Sequence, residues 1–372
     1  MGDNKLRKKS AAAHILINQL LGGFAKINSN VADVLEGKCN YGQTKPSFIK
    51  NSWYRHHAGS SKKTFGVAHI NHFKSMIEDI ACDNPYNYQT CINEEIIYGD
   101  DLPEYIPVVI KFDRGLNSQT RYCNFVEADL MASKIAGLFG VRTACVQPAK
   151  ELAPNEKALV SVCFLRAGQH FCTASQVLSG KVLYHFYNGL ADWLQEIEGW
   201  FDKTIRMTGE DTTNIEMDII GDMIQHYVVR SLILNDTDFS SNNLGIILGD
   251  SIDMLDIQLA PMFDLEYSFQ GMKNYNNDDW VNRIPNDWLS DLPRLKKDLT
   301  VVAKKYRHFL DKAIKSLDVD NIADKIREIV SPYDSQPDRY VKFICNRINT
   351  IKQIYKEVCN NIDYYSDMDM SI

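Results

Sequence analysis

The stretch that most constrains this chain is a polar loop wedged between two apolar elements. Ile220, Met223, Ile224, Tyr227, Val228 and Leu232 recur at helical spacing on one face. The chain then runs directly into Leu234-Asn-Asp-Thr-Asp-Phe-Ser-Ser-Asn-Asn-Leu-Gly-Ile-Ile-Leu248. Polar residues are thereby packed between a buried helix and a buried strand. Within the loop Asp238 and Asn243 stand five apart, the spacing at which phosphotransferases place a carboxylate for the substrate hydroxyl's proton and an amide for a metal. Alone the pair says little, because Asp and Asn are ordinary loop residues.

Three further segments supply partners for it. Leu259-Ala-Pro-Met-Phe-Asp-Leu-Glu-Tyr-Ser268 delivers Asp264 just beyond a strand end, where a carboxylate can hold Mg²⁺ against nucleotide phosphates. In Ile106-Pro-Val-Val-Ile-Lys-Phe112, Lys111 interrupts a run that otherwise reads as a buried strand. An unpaired ammonium there would be costly, so it needs a carboxylate. Glu127 opens a helix whose apolar face continues through Met131, Ile135 and Leu138, and the periodicity points its side chain inward toward Lys111. The bland alternative is a structural salt bridge. Upstream, Tyr54-Arg-His-His-Ala-Gly-Ser-Ser-Lys-Lys-Thr-Phe-Gly-Val67 joins a small-residue turn to a strand. Free backbone N–H groups in such a turn, with Lys62 or Lys63 beside them, can cradle phosphate, although the Walker pattern is absent.

Around these segments the text divides in two. Residues 10 to 27 read as an amphipathic helix, with Ile17, Leu20, Leu21 and Phe24 on one face. From about 50 to 170 short β-rich runs dominate, at 64–70, 106–112, 141–147 and 158–165, with one helix at 124–139 among them. From about 175 onward helices dominate, interrupted by apolar runs at 244–248 and 254–259. The expected organisation is an α+β chain with a helical extension at 1–49, a small sheet-plus-helix unit at 50–170 and a larger helical unit at 171–372.

Composition narrows the functions. With 48 acidic against 41 basic residues the net charge is -7, so no global basic field exists to hold a nucleic-acid backbone, and direct nucleic-acid binding is not expected. No run approaches the roughly 18 apolar residues of a spanning helix. Lys5, Arg7, Lys8 and Lys9 precede an apolar stretch that His14, Asn18 and Gln19 interrupt, so neither a cleaved leader nor a membrane anchor is expected. Nine cysteines, odd in number and never spaced as CxxC, read as reduced thiols of a cytoplasmic, reducing compartment. His69, His72, Cys82 and Cys91 could be assembled into a zinc site, but their spacing matches no closed site.

Taken together, Gly59-Ser-Ser-Lys-Lys-Thr64, Val108-Val-Ile-Lys111, Glu127, Asp238-x4-Asn243-Leu-Gly245 and Leu259-Ala-Pro-Met-Phe-Asp264 resemble the HipA-like serine/threonine kinases, including their CtkA-type relatives, over residues 50 to 350. The resemblance implies a bilobal protein-kinase-like fold, ATP with Mg²⁺, and phosphorylation of Ser or Thr hydroxyls of a protein. Gly59, Ser60, Ser61 and Lys63 would meet the phosphates, together with Lys111 steadied by Glu127. Val162 and Phe164 would meet the adenine edge, Asp238 would be the base, and Asn243 and Asp264 the metal ligands. It further implies autophosphorylation and leaves room for a separately encoded regulator and for delivery into another cell. Ser240 and Asn242 stand where the family usually has His and often Lys, and the autophosphorylated serine falls on Ala58, with Ser60 and Ser61 beside it. A nucleotide-binding module without turnover, and a kinase for a small molecule or lipid headgroup, therefore stay open as alternatives.

Overall fold

Two small antiparallel sheets and a set of packed helices form the parts described by the computed structural model. These are residues 63–69, 105–113, 124–144, 146–148, 157–162, 169–174, 189–208, 213–241, 243–249, 257–270, 272, 289 and 291–369. The first sheet contains β1 (Lys63–His69), β2 (Tyr105–Phe112), β3 (Val146–Pro148) and β4 (Ala158–Val162) in the order β1-β2-β4-β3. β2 is the central β-branched run Val108-Val-Ile110, which suits a pleated surface paired on both edges. Its Pro107 lies opposite Val67 of β1 but beyond the last pair with β4, Val108 with Val162. The missing N–H therefore leaves the β4 ladder intact, and Pro107 falls near the end of the ladder with β1.

Helix α1 (Phe125–Leu138) follows β2. Asn124 caps it by accepting the Glu127 N–H at 2.9 Å, while the Glu127 carboxylate accepts the Asn124 N–H at 3.3 Å. This reciprocal pair satisfies two of the orphan donors of the first turn. At the other end Gly140 takes a φ of +72°, and Gln225 donates to the Phe139 carbonyl at 2.9 Å. α1 is apolar on two sides. Val126 and Leu130 pack with Ala144 and with Val146 and Leu159 of the first sheet, whereas Ala128, Met131, Ala132, Ile135 and Ala136 join the large helical core.

The second sheet, β5-β6-β7, is built from Gln169–Thr173, Gly245–Gly249 and Ile257–Leu259. The apolar runs expected near 244 and 254 thus become two paired strands. Just beyond β7 the chain crosses back to the first sheet's approach segment. Met262 N–H donates to the Arg142 carbonyl at 2.7 Å, and Ala144 N–H donates to the Met262 carbonyl at 2.9 Å. The run expected at 141–147 is a continuous strand only at 146–148, because residues 142–144 are engaged in this short parallel bridge with Met262 instead.

The helical core comprises α2 (Leu190–Thr208), α3 (Thr213–His226), α4 (Leu292–Lys315), α5 (Ile322–Val330) and α6 (Pro337–Asp369). Asp298 of α4 accepts the Leu190 and Ala191 N–H groups at 2.8 and 2.9 Å, which caps α2 from another helix. A Cβ on Gly189 would fall 2.2 Å from that carboxylate, so only glycine fits. α3 runs on as a π-helical segment over Tyr227–Ile233. Its wider turn is visible in Leu234 N–H donating to Val229 O, five residues back, at 2.9 Å. All seven of its residues are buried, so the one-sided apolar face expected there is an all-round buried one. Arg347 of α6, itself fully buried, donates to the Leu232 carbonyl at 2.6 Å and the Ser231 carbonyl at 3.4 Å. The helix expected at 10–27 lies outside the described residues, and no helix among those described is long and apolar enough to cross a membrane.

Candidate active site

Three distant segments meet at one ammonium. Lys111 of β2 is 4% exposed, and its Nζ lies 2.9 Å from Asp129 Oδ2, 2.6 Å from Glu266 Oε2 and in hydrogen-bond contact with Asp264 Oδ1. Burial alone would pull its proton off most strongly, but Asp129, Asp264 and Glu266 together outweigh that effect. The amine is held well above the ordinary lysine range. Lys63, which closes the expected phosphate loop, stands directly across from Lys111 in the β1–β2 register.

The carboxylate that meets Lys111 from α1 is Asp129, which corrects the expected Lys111–Glu127 pair. Glu127 is occupied by the capping box, and its carboxylate lies 2.5 Å from Lys157 Nζ. Two residues along an α-helix turn the side chain by about 200°, so Asp129 projects on the face opposite Glu127. Because α1 is buried on both faces, apolar periodicity does not single out one inward carboxylate. Asp129 Oδ1 also accepts the Leu265 N–H at 3.1 Å and the Ser133 hydroxyl at 3.4 Å. One side chain therefore ties β2, α1 and the segment after β7 together.

Arg230, in the π-helical segment, fastens the remaining loops. Its Nε lies 2.6 Å from Asp236 Oδ2, and its terminal nitrogens donate to the carbonyls of Asn243 at 2.9 Å, Phe263 at 3.1 Å and Asp264 at 2.9 Å. The guanidinium also lies over the Phe239 ring, which stacks on Trp193. Asp236 is fully buried, and burial raises its carboxyl to about 6 even though Arg230 opposes the shift. Its other oxygen accepts the Asp238 N–H at 2.9 Å, which orients the next carboxylate along the loop.

Asp238 and Asn243 are brought together as the spacing predicts. The Asn243 amide nitrogen donates to Asp238 Oδ2 at 2.8 Å and to the Asp238 carbonyl at 2.7 Å. With both amide hydrogens committed, the side chain has its carbonyl oxygen to offer a cation. Burial raises the Asp238 carboxyl above the ordinary range, and Asp264 and Glu266 push the same way against Arg230 and Asn243. Asp264 adopts a φ of +60°, a left-handed conformation that Asp tolerates better than most residues. Arg230 holds it there through its carbonyl.

Asp129, Arg230, Asp236 and Glu266 were not among the residues expected from the sequence. Of those that were, Gly59, Ser60, Ser61 and Phe164 lie outside the described residues, and Val162 is described as the backbone end of β4 opposite Val108. Of the zinc candidates only His69 falls within a described strand, and among the described residues no three His, Cys, Asp or Glu side chains gather as a metal cage. Asn243 and Asp264 instead offer an amide and a carboxylate oxygen, a donor set that fits Mg²⁺, which takes one or two protein oxygens and leaves its other positions to water and phosphate.

No protein-family model matches the sequence, and no curated protein matches it. Among solved structures the chain is similar to the Helicobacter pylori proinflammatory kinase CtkA, at 13% identity and a TM-score of 0.45 over 68% of this chain and 88% of that one. It is also similar to HipA of the Shewanella oneidensis MR-1 toxin–antitoxin system, solved with HipB and operator DNA, at 15% identity and a TM-score of 0.43. That match covers 68% of this chain and 60% of HipA, so the chain spans less than two thirds of its length. Both are distant resemblances, and the chemistry is read from the site's own residues.

Proposed function

We propose that this chain is a phosphotransferase that uses ATP and Mg²⁺ to phosphorylate Ser or Thr hydroxyls of a protein, its own among them. The observation that carries the reading is that Arg230 binds the carbonyls of both Asn243 and Asp264, and so joins the Asp238–Asn243 pair to the Lys111–Asp129–Asp264 cluster, groups that come from a strand, a helix and two separate loops. Phosphoryl transfer asks a protein mainly for positioning and charge stabilisation. In this reading residues 50–170 form a smaller lobe and 171–372 a larger one, with the nucleotide between them.

Each group then has one task. Lys111 orients the α- and β-phosphates, and Asp129 takes the steadying role that the sequence assigned to Glu127. Gly59, Ser60, Ser61 and Lys63 receive the phosphates, and Val162 and Phe164 meet the adenine edge. Asn243 and Asp264 would hold Mg²⁺, which when bound neutralises triphosphate charge. Asp238 accepts the proton of the attacking hydroxyl, and its raised carboxyl suits a base that must take a proton readily.

Incubation with labelled ATP and Mg²⁺, followed by mass spectrometry for modified serines and threonines, tests this directly. Asp238→Ala is expected to cut transfer at least ~100-fold, the lower end of what a positioned base contributes, with an unchanged circular-dichroism spectrum. Equal rates in parent and variant would refute the assignment, and label recovered only in a small molecule would redirect the substrate class. One observation favours a second reading, a nucleotide-binding module without turnover. Lys111 and Asp264 are engaged with one another, and ATP binding with no transfer would establish that reading.

A further inference from the structure

An ammonium has three donors, and three carboxylates, those of Asp129, Asp264 and Glu266, lie within reach of the one on Lys111. In the phosphotransfer reading two of them have tasks: Asp129 steadies the amine from α1, and Asp264 takes the metal. Glu266 has none, yet it is 4% exposed and sits 2.6 Å from Nζ. A carboxylate that deeply buried is costly unless a cation faces it, and breaking such a pair leaves the penalty behind. Its neighbours sharpen the point, because Asp264 and Glu266 both repel Asp238. Handing Lys111 to a triphosphate would strip Glu266 of its ammonium and bring further negative charge beside it.

We infer that Glu266 is an internal competitor for Lys111, a residue that holds the ammonium away from nucleotide phosphates and makes ATP binding depend on the metal that accompanies it. The inference rests on the phosphotransfer reading. Metal-free ATP meets Asp264 and Glu266 with no positive charge of its own, whereas the magnesium complex brings a cation to Asp264 as Lys111 leaves it. The intrinsic affinity of the site is then reduced by the fraction of molecules in which Lys111 has been released.

Calorimetric titration of the full chain with ATP, once with Mg²⁺ and once with a chelator, separates the possibilities. Glu266→Gln keeps the shape and removes the charge, and it should tighten binding of the magnesium complex about tenfold, as expected when a minor competent population becomes the major one. Its gain for metal-free ATP should be larger still, so the metal dependence narrows. Glu266→Asp, one methylene shorter, should show a smaller gain in the same direction and serves if the glutamine variant does not fold. In a Lys111→Met background the Glu266→Gln gain should fall to what relief of charge repulsion with the phosphates alone supplies, well below the gain seen with Lys111 present, because the group competed for is gone. A parent that binds the magnesium complex while neither Glu266 variant binds it more tightly overturns this role and leaves the phosphotransfer reading standing. No binding by parent or variants overturns both.

Discussion

Asp129 and Glu127 sit two residues apart on one helix and do unlike work, which makes them a matched pair for substitution. Asp129→Asn should lower phosphoryl transfer by tenfold or more, roughly the loss expected when a reacting group's anchor is removed. Glu127→Gln should leave the rate within about twofold and cost about 1 kcal/mol of stability through the weakened cap, at most. Initial rates with labelled ATP and urea denaturation of both variants check this, and the reverse ranking would restore the pairing expected from periodicity. Lys111 was legible because a charge stands inside a β-branched run. The same signal marks Arg230, a guanidinium inside Tyr227-Val-Val-Arg-Ser-Leu-Ile233, although helical periodicity does not separate it from the solvent-facing arginine of an amphipathic helix. Asp129 carried no comparable mark, since α1 is apolar on both sides and its acids cannot be ranked by face. Glu266 was hidden differently: its meaning lies in a contact with a strand 155 positions earlier, which no local pattern encodes.

At the level of elements, the π-helical segment shows how α6 bears on the site. Arg347 spends its donors on the carbonyls of Ser231 and Leu232, at the end of the segment that carries Arg230. Arg347→Met keeps most of the volume but leaves those buried carbonyls unmet, and it should cost about 3 kcal/mol, the range for removing a charged hydrogen-bonding partner from an interior. A urea midpoint within a few tenths of a molar of the parent's would show that the carbonyls find other donors. β1, β2, β4, β6 and β7 were readable from short apolar and β-branched runs and α1 from its periodicity, whereas β5 was not, since Gln169-His-Phe-Cys-Thr173 forms no such run. The shortened β3 was not, since its neighbours 142–144 pair with Met262, a long-range exchange that competes with strand propensity.

Across the whole molecule, burial makes titration and folding one problem. His226 is fully buried near Arg142 and Arg230, and burial first, then those two charges, lower its proton affinity from 6.5 to about 3. The unfolded chain therefore binds a proton between those values that the folded chain refuses. This group contributes stability that is full above its unfolded pKa and lost as pH falls toward the folded one. Asp236, raised to about 6, works with the opposite sign: the folded chain keeps its proton longer, so its contribution declines as pH rises from the ordinary carboxyl range toward 6. His226→Gln should accordingly remove roughly 3 kcal/mol of the parent's stability loss between about pH 6.5 and 4. Urea melts at the two pH values measure it, and equal slopes in parent and variant would count against a neutral buried imidazole. The π-helical turn, finally, sets a rule for how the chain can vary in length. A π turn holds one residue more than an α turn, so loss of Val228 or Val229 is taken up by regular winding, whereas the same loss from α3 would swing everything beyond it by about 100° and pull it back about 1.5 Å. A single-codon deletion in α3 would therefore bring Asp236 and Asp238 out of phase with the strand lysine and disarm the site without touching any of its polar groups, whereas one at Val228 or Val229 would not.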